Sequence, residues 1–515
     1  MASRHAGSTE EREGLIEYRP LLFVVLIISG CSMCYELIIS ALSTYLLGNS
    51  VLQYSVTIGL YMAAMGLGAY LSKFVTRRLF RRFAQIELAV GLLGGTSSLV
   101  LFLAHLYLHG FRILMYALVI LIGILVGAEI PILTRIVEED KRHLRLALSS
   151  IFSIDYMGGL IGAIAFPLLL LPQLGFFATS FLCGLINCIA ASIVLWRYGR
   201  RIEGVASLRV VAVVLMVVMA VGMVASDRLS TMVEGGLYRD HVIVSEQTPY
   251  QKIVLTRRVD DLRLFLDGNI QFCSRDEYRY HEALVHVPMA MAPTHSHVLV
   301  LGGGDGLAAR EILKYDDVSD ITIVDIDPSM TQLCAQDEAI VRLNEGSLVD
   351  PRVRVCNEDA KQFLQESHDG YDVVIIDLPD PNSEALNQLY TDSFYRLVGN
   401  HLVDGGVFVT QSTSPYFARE AFWCINQTIS SEGFHVLPYH LNVPSFGEWG
   451  FNVASRTELH PDVKITVPTS YLTSQNAPAL FAFGMDESKP SHMSKNTLNH
   501  PVLIEYYNKA LVEWG

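Results

Sequence analysis

Apolar residues crowd into the first 226 positions of this chain and alternate with polar ones beyond them, and the two patterns predict two kinds of structure. Seven apolar stretches, at 20–46, 51–72, 84–106, 112–132, 147–171, 174–196 and 208–226, are long enough as helices to cross a hydrocarbon core, which takes about 20 residues. Several are rich in Gly and Ala, as in GLYMAAMGLGA at 59–69, which suits close helix packing in lipid. One cleaved leader cannot account for six later stretches. The ISGC sequence at 28–31 has the form of a lipoprotein cleavage box, yet the apolar run continues well past it. The pattern therefore predicts an α-helical polytopic membrane domain at 20–226 behind an amino-terminal tail at 1–19.

Beyond that point the period changes. Short strands are expected at 241–245, 252–257, 262–266 and 269–273, the last two joined by a turn at Asp267-Gly268, so that 227–290 reads as a small β-rich lid. From 291 to 515 apolar strands at 298–301, 321–327, 352–355 and 371–376 alternate with helical text, and the chain closes with a helix over 496–514. This is the pattern of an α/β Rossmann-like domain.

Charge divides at the same boundary. Residues 1–226 hold 17 Lys and Arg against 12 Asp and Glu, net +5, whereas 227–515 hold 21 against 40, net −19. The basic residues of the first half sit in short loops, at 73–82, 135–145 and 197–201, which the positive-inside bias places with the amino terminus in the cytoplasm. Seven spans that begin inside end outside, which puts 227–515 on the outer face of the cell membrane. An acidic second half excludes nucleic acid as a natural partner and fits cationic ligands. Three acids are recognised within the stretches, Glu36, Glu129 and Asp155; they are read either as a cation path or as groups paired with one another, with Tyr35 or Tyr156, or with helix ends. The eight cysteines form no metal or disulfide framework, and no metal site is expected.

The chemistry concentrates in VLVLGGGDG at 298–306. A strand, a glycine turn and a helix start cradle a nucleotide, but Asp305 opposes an anion, so the ligand group beside it is read as an amine or sulfonium rather than a phosphate; a helix-capping Asp is the structural alternative. Asp325 lies about twenty residues on, where a ribose-binding carboxylate belongs. Asp359, Asp377 and Asp380 also follow predicted strands, so all five acids are expected to line one cleft that selects a polycation.

These residues resemble the polyamine aminopropyltransferase family, of which spermidine synthase is the type. The resemblance runs from about Tyr250 to Trp449 and is carried by PYQ at 249–251, LDGNIQ at 266–271, DEYRYHE at 276–282, the GGGDG loop, DLPDP at 377–381 and Leu389-Tyr390. It implies a class I methyltransferase-like fold and transfer of an aminopropyl group from decarboxylated S-adenosylmethionine, a co-substrate, to putrescine or a related polyamine, with no cofactor. It further implies that Gln251, Asp325, Asp359 and Ala360, with Gly302 and Gly304 of the loop, hold the donor. His281, Asp305 and Asp380 would meet the amines, and Asp377, with Tyr280, would take the proton. Two segments depart from the family pattern: Asn382 to Glu384 replace a Gly-Pro element, and Val443 stands where a late loop has tyrosine. The acceptor amine therefore stays open, as does a homo-oligomer. The family's donor is made in the cytosol, which conflicts with the outer face that the span count gives. Two other readings remain: a methyltransferase using S-adenosylmethionine, against which Asp305 and Asp377 to Asp380 speak, and a polyamine transporter with a sensor domain.

Overall fold

The computed structural model describes residues 18–47, 50–108, 110–138, 144–238 and 240–514. The tail through residue 17 and the centre of the basic loop at 139–143 lie outside the described residues. The chain divides into two units, Met1–Arg239 and Asp240–Gly515, each taken by itself below.

The first unit is helical: α1 (Tyr18–Leu47), α2 (Ser50–Leu71), α3 (Leu79–Tyr107), α4 (Phe111–Glu138), α5 (Leu144–Ala165), α6 (Leu171–Arg197), α7 (Val205–Val224) and α8 (Ser226–Tyr238). Among the described residues, six helical runs are long and apolar enough to cross a membrane, one fewer than the seven stretches. The difference lies in Leu148–Arg197, a 50-residue run that holds two of them. It breaks at Gly175, whose φ of 69° and ψ of −176° no helix contains. Cys34 of α1 meets both Gly162 and Cys183. A straight helix would hold those two residues about 31 Å apart, so the run folds back on itself. The directions agree: α5 runs parallel to α1, from Ser29–Asp155 to Cys34–Gly162, while α6 runs antiparallel to α3, from Asn187–Glu87 to Phe176–Ser98.

Small residues let these helices touch. A Cβ placed on Gly162 would lie 2.4 Å from the Gly30 carbonyl oxygen, inside any permissible contact. Much of what a soluble protein would bury faces outward instead, as with Val210, Val214, Val217 and Val221 along α7. Where the sequence reading has 227–290 as one β-rich stretch, residues 226–238 are helical and the first strand opens at His241.

The second unit starts with an antiparallel sheet of β1 (His241–Gln247), β2 (Lys252–Arg258), β3 (Asp261–Leu266) and β4 (Asn269–Cys273), in that order. Positive φ at Asp267 (49°) and Gly268 (82°) makes the expected tight hairpin turn. Helix α9 (Glu277–Met291) leads to β5 (His297–Gly302), α10 (Leu307–Ile312), β6 (Asp320–Val324), α11 (Pro328–Gln336), α12 (Glu338–Leu343), β7 (Val353–Cys356), α13 (Ala360–Glu366) and β8 (Tyr371–Asp377). After α14 (Glu384–Asn387) and α15 (Asp392–Asn400) come β9 (Leu402–Gln411), α16 (Arg419–Ser430), β10 (His435–Val443), β11 (Gly447–Ser455) and α17 (Val502–Trp514). Strands β5 to β11 form one mixed sheet in the order β10-β11-β9-β8-β5-β6-β7. The five strands from β9 to the β7 edge are parallel, and β5 and β8 are buried on both faces, hence their continuous apolar runs. The closing helix begins at Val502 rather than 496: Asn496 is fully buried and bonds Asn387 and the Tyr390 carbonyl.

The contact between α1 and α5 is testable. Gly162→Ile would force the Gly30 backbone away, and overpacking of this kind costs about 1–3 kcal/mol. The variant is expected to unfold at lower temperature than the parent in detergent; an unchanged midpoint would mean that the two helices do not pack as described.

Candidate active site at the sheet's switch point

From β5 the chain builds β6 and β7 on one side, then crosses to β8 and β9 on the other, so strand order reverses between β5 and β8. Ligands of such sheets bind at the carboxyl ends of the strands there. Asp377 ends β8, the GGGDG loop follows β5, Asp325 follows β6 and Asp359 follows β7. Four adjacent strands about 4.8 Å apart spread these groups over about 14 Å.

The glycines are required by close approach. Gly302 pairs with Asp377 across the parallel ladder, has φ of 84°, and a Cβ there would lie 2.0 Å from the Asp377 carbonyl oxygen. At Gly304 a Cβ would lie 2.4 Å from Asp325 Oδ2. Instead the Gly304 N–H donates to that oxygen at 3.1 Å, while Asp325 Oδ1 accepts from Asp327 N–H at 2.9 Å. Burial pushes the Asp325 carboxyl up to about 6, against the pull of those backbone donors.

Tyr280, from α9, donates to Asp377 Oδ1 at 2.6 Å. Burial first, and Asp305 beyond it, push Asp377 up to about 6, while His281 and the Tyr280 hydroxyl pull the other way. Asp305 is also raised, chiefly by burial. Its Oδ1 accepts from Leu307 N–H at 2.9 Å, but the N-cap of α10 is Gly306, so Asp305 braces the turn before the helix rather than capping it. His281 is the positive member. Burial alone would lower it, but the Glu277 carboxylate bonded to Nδ1 at 2.9 Å, with Asp305 and Asp377, raises it to about 9.

Asp380 lies on the same loop as Asp377, held by two groups that sequence reasoning missed. Tyr507 of α17 donates to Oδ2 at 2.8 Å and Gln411 at the end of β9 donates to Oδ1 at 3.3 Å. Burial raises Asp380 to about 6 and these two donors restrain it. Gln251 donates to Asp327, not to Asp325, at 3.0 Å, and Thr248 joins it at 2.8 Å. Asp327 was hidden by its neighbour, since in the VDID text at 324–327 only Asp325 stands at the expected spacing. Asp359 caps α13 through Gln362 N–H, with Ala360 buried behind it. The structure thus gathers Tyr280, His281, Asp305 and Asp377, sets Asp325 and Gln251 beside Asp327, and leaves Asp359 and Ala360 one strand further out.

Beneath the cluster runs a buried ion network. Arg310 forks onto Glu277 at 2.8 and 3.0 Å and reaches Glu311 at 2.9 Å, and Glu311 also takes His286 at 2.8 Å and Lys314 at 2.6 Å. His440 and Glu448 of the β10–β11 hairpin and Glu487 of the later loop come within metal-ligand distance of one another. Both ring nitrogens of His440 are already engaged, by Glu448 and by the Ala482 carbonyl, and against the effect of burial those acceptors raise the imidazole above its ordinary value.

Residues 277–466 match the Spermine/spermidine synthase domain family. The chain is 43% identical over 499 residues to Polyamine aminopropyltransferase 2 of Ralstonia nicotianae, covering 95% of this chain and 97% of that one. It is 44% identical over 490 residues to Polyamine aminopropyltransferase of Oceanobacillus iheyensis, with 94% and 96% covered. A relative of the same name in Mycobacterium tuberculosis is 37% identical over 523 residues, 98% of each chain. A crystal structure of spermidine synthase in complex with the transition state analogue AdoDATO superimposes on 47% of this chain and 85% of its own, at 27% identity and a TM-score of 0.44.

The ion network predicts acid sensitivity. Burial would raise Glu311, but His286, Lys314 and Arg310 hold it down to about 2, below its ordinary value near 4.5. A depressed carboxylate contributes stability above its unfolded pKa and loses it as pH falls through the folded one. Glu311→Gln is expected to cost up to about 3 kcal/mol at pH 7, with the difference from the parent vanishing as pH falls from about 4.5 to 2. Denaturant titration of the full chain by tryptophan fluorescence checks it; a pH-independent difference would show that charge is not what Glu311 contributes.

Proposed function

The chain belongs to the polyamine aminopropyltransferase family, and on that footing we propose that Asp377 is the proton acceptor for an amine held between Asp305 and Asp380. The enzyme transfers an aminopropyl group from decarboxylated S-adenosylmethionine, its co-substrate, to an amine, giving a spermidine-type polyamine and methylthioadenosine. The acceptor nitrogen forms a bond to the methylene beside the sulfonium, the carbon–sulfur bond breaks onto sulfur, and a proton leaves the nitrogen. An amine with a pKa near 10.4 must lose that proton first, at a cost of about 4–5 kcal/mol at neutral pH. The observation that carries the assignment is the Tyr280–Asp377 hydrogen bond at the switch point: it fixes one carboxylate oxygen and leaves Oδ2 to take the proton.

Donor placement follows from the strand ends. Asp325 and Gln251 hold the ribose side, with Asp327 bracing Gln251, while Asp359 and Ala360 lie toward the base. Gly302 and Gly304 let the backbone approach. Asp305 meets the donor's amine, which decarboxylation has freed of its carboxylate neighbour. His281 acts through the carboxylates, because an imidazolium balances Asp305 and Asp377 rather than binding an ammonium. Asp380, aimed by Tyr507 and Gln411, receives the far amine of the acceptor; putrescine, cadaverine and spermidine are the acceptors to compare.

Asp377→Asn keeps the shape and removes the base. Turnover is expected to fall by about 10²–10⁴ with donor affinity within about twofold. In the parent, activity requires ionised Asp377, so kcat/KM should drop as pH falls below about 6. Near-normal turnover of the variant, or no such acid limb, would remove Asp377 from this role.

We also propose that the helical unit crosses the cell membrane seven times. Six apolar runs, one of them folded back at Gly175, and the outward valines of α7 support a lipid surroundings for it. The positive-inside bias of the loops then places the catalytic unit on the outer face, where the donor would have to be delivered. Met485 is 91% exposed and suits a reporter cysteine. Met485→Cys is expected to react with a membrane-impermeant maleimide in intact cells; protection until lysis would put the unit in the cytosol and take α7 out of the count.

A further inference from the structure

Four carboxylates, not three, lie within the apolar helices. Glu87 joins Glu36, Glu129 and Asp155; the hydrophobic pattern hides it three residues inside the third stretch. Glu87 is 0% and Glu129 3% exposed, and Glu129 lies within electrostatic reach of both Glu87 and Asp155. Among the described residues, no basic side chain pairs with any of the four. Asn187 of α6 donates to Glu87 Oε2 at 3.2 Å, yet Glu87 Oε1, Glu129 Oε1 and Asn187 Oδ1 are buried without a donor. Three helices therefore converge with three unmatched acceptors and a single amide donor between them. Each such group costs several kcal/mol in an apolar interior unless a donor or a positive charge meets it.

The depths of these groups agree. At 1.5 Å per residue, Glu87 stands about 12 Å from the start of α3, Glu129 about 14 Å from the end of α4 and Asn187 about 15 Å from the end of α6. Those three helix ends share one side of the alternating bundle, the side of the basic loops. From this layer a second set continues toward the opposite end. Tyr35 and Ser40 of α1 and Gln53 of α2 are buried, and Tyr35 Oη, Ser40 Oγ and Gln53 Oε1 also have no hydrogen-bond partner among the described residues. Glu36 lies between them, and Gln53 is three residues from the far end of α2.

We propose that this polar lane conducts a protonated di- or polyamine across the helical unit, with the Glu87–Glu129–Asn187 layer as its internal binding site. An ammonium is all donors and no acceptor, and each orphaned carboxyl, amide or hydroxyl oxygen can accept from it. A linear polyamine alternates charge with methylenes, as the lane alternates acids with apolar helix. The choice of a polyamine over another organic ammonium rests on the transferase reading; the lane itself does not.

The test uses the full chain in proteoliposomes with radiolabelled spermidine outside, and the same preparation assayed in detergent for aminopropyl transfer. Saturable spermidine uptake above protein-free vesicles is expected, falling about tenfold or more in Glu87→Gln and Glu129→Gln, and in Ser40→Phe, which plugs the lane without removing charge, while transfer stays within about twofold. Spermidine uptake no faster than in protein-free vesicles, or uptake that all three variants leave intact, would overturn the proposal. Sodium or proton flux in place of amine flux would overturn the assignment of the ligand. Should the Glu variants aggregate, the parent and Ser40→Phe still decide. A preparation that moves spermidine but transfers nothing refutes the transferase reading and leaves the lane standing.

Discussion

Carboxylates gathered out of water repel one another and lose hydration together, so they can share a small volume only if positive charge is supplied. At the switch point Asp305 and Asp377 lie around His281, which burial would discharge but which their field and Glu277 keep cationic at up to about 9. Asp325, Asp377 and Asp380 are each raised to about 6, with burial the largest cause. A site of this kind rejects phosphates and ordinary carboxylates and gains from every ammonium that enters. The preference for a decarboxylated donor and a polyamine acceptor is one electrostatic fact seen twice.

Holding mutually repelling groups in place takes a rigid frame. Gly302 and Gly304 bring the β5 loop so close to Asp377 and Asp325 that a methyl group would not fit. Below, Arg310 ties Glu277 of α9 to Glu311 of α10, fixing the helix that carries both Tyr280 and His281. The carboxyl-terminal helix adds Tyr507 to Asp380, and Asn496 buries three hydrogen bonds to lock the approach to that helix. A buried ion pair is weak evidence of stability by itself, but it fixes side-chain geometry, which is what this site consumes.

In the helical unit the same problem is met by different means. Small residues bring helices into backbone contact, as at Gly162 against Gly30, and a 50-residue apolar run turns back at Gly175 because only glycine holds that φ. Among the described residues the acids there meet no base and, at Glu87, a single amide donor, in contrast to the switch-point cluster, where Asp305, Asp325, Asp377 and Asp380 each accept a hydrogen bond.

Much of this was legible in the order of residues. Helix length, the Asp267-Gly268 turn, the parallel strands and the acids at their ends follow from local periodicity and turn chemistry, because each depends on neighbours a few positions apart. Tyr280 and Asp377 were nameable from motif text alone. The hairpin at Gly175 was implied by two stretches, though nothing in their composition required the chain to reverse. What only the tertiary structure decided involves partners remote in sequence: Asp327 rather than Asp325 as the anchor of Gln251, Tyr507 reaching back across 127 positions to Asp380, the cationic state of His281, and the approach of Glu87 to Glu129 within the apolar helices. The physical reason is the same in each case. Protonation, orientation and pairing of a polar group are set by the field and burial around it, and these exist only once distant segments have packed.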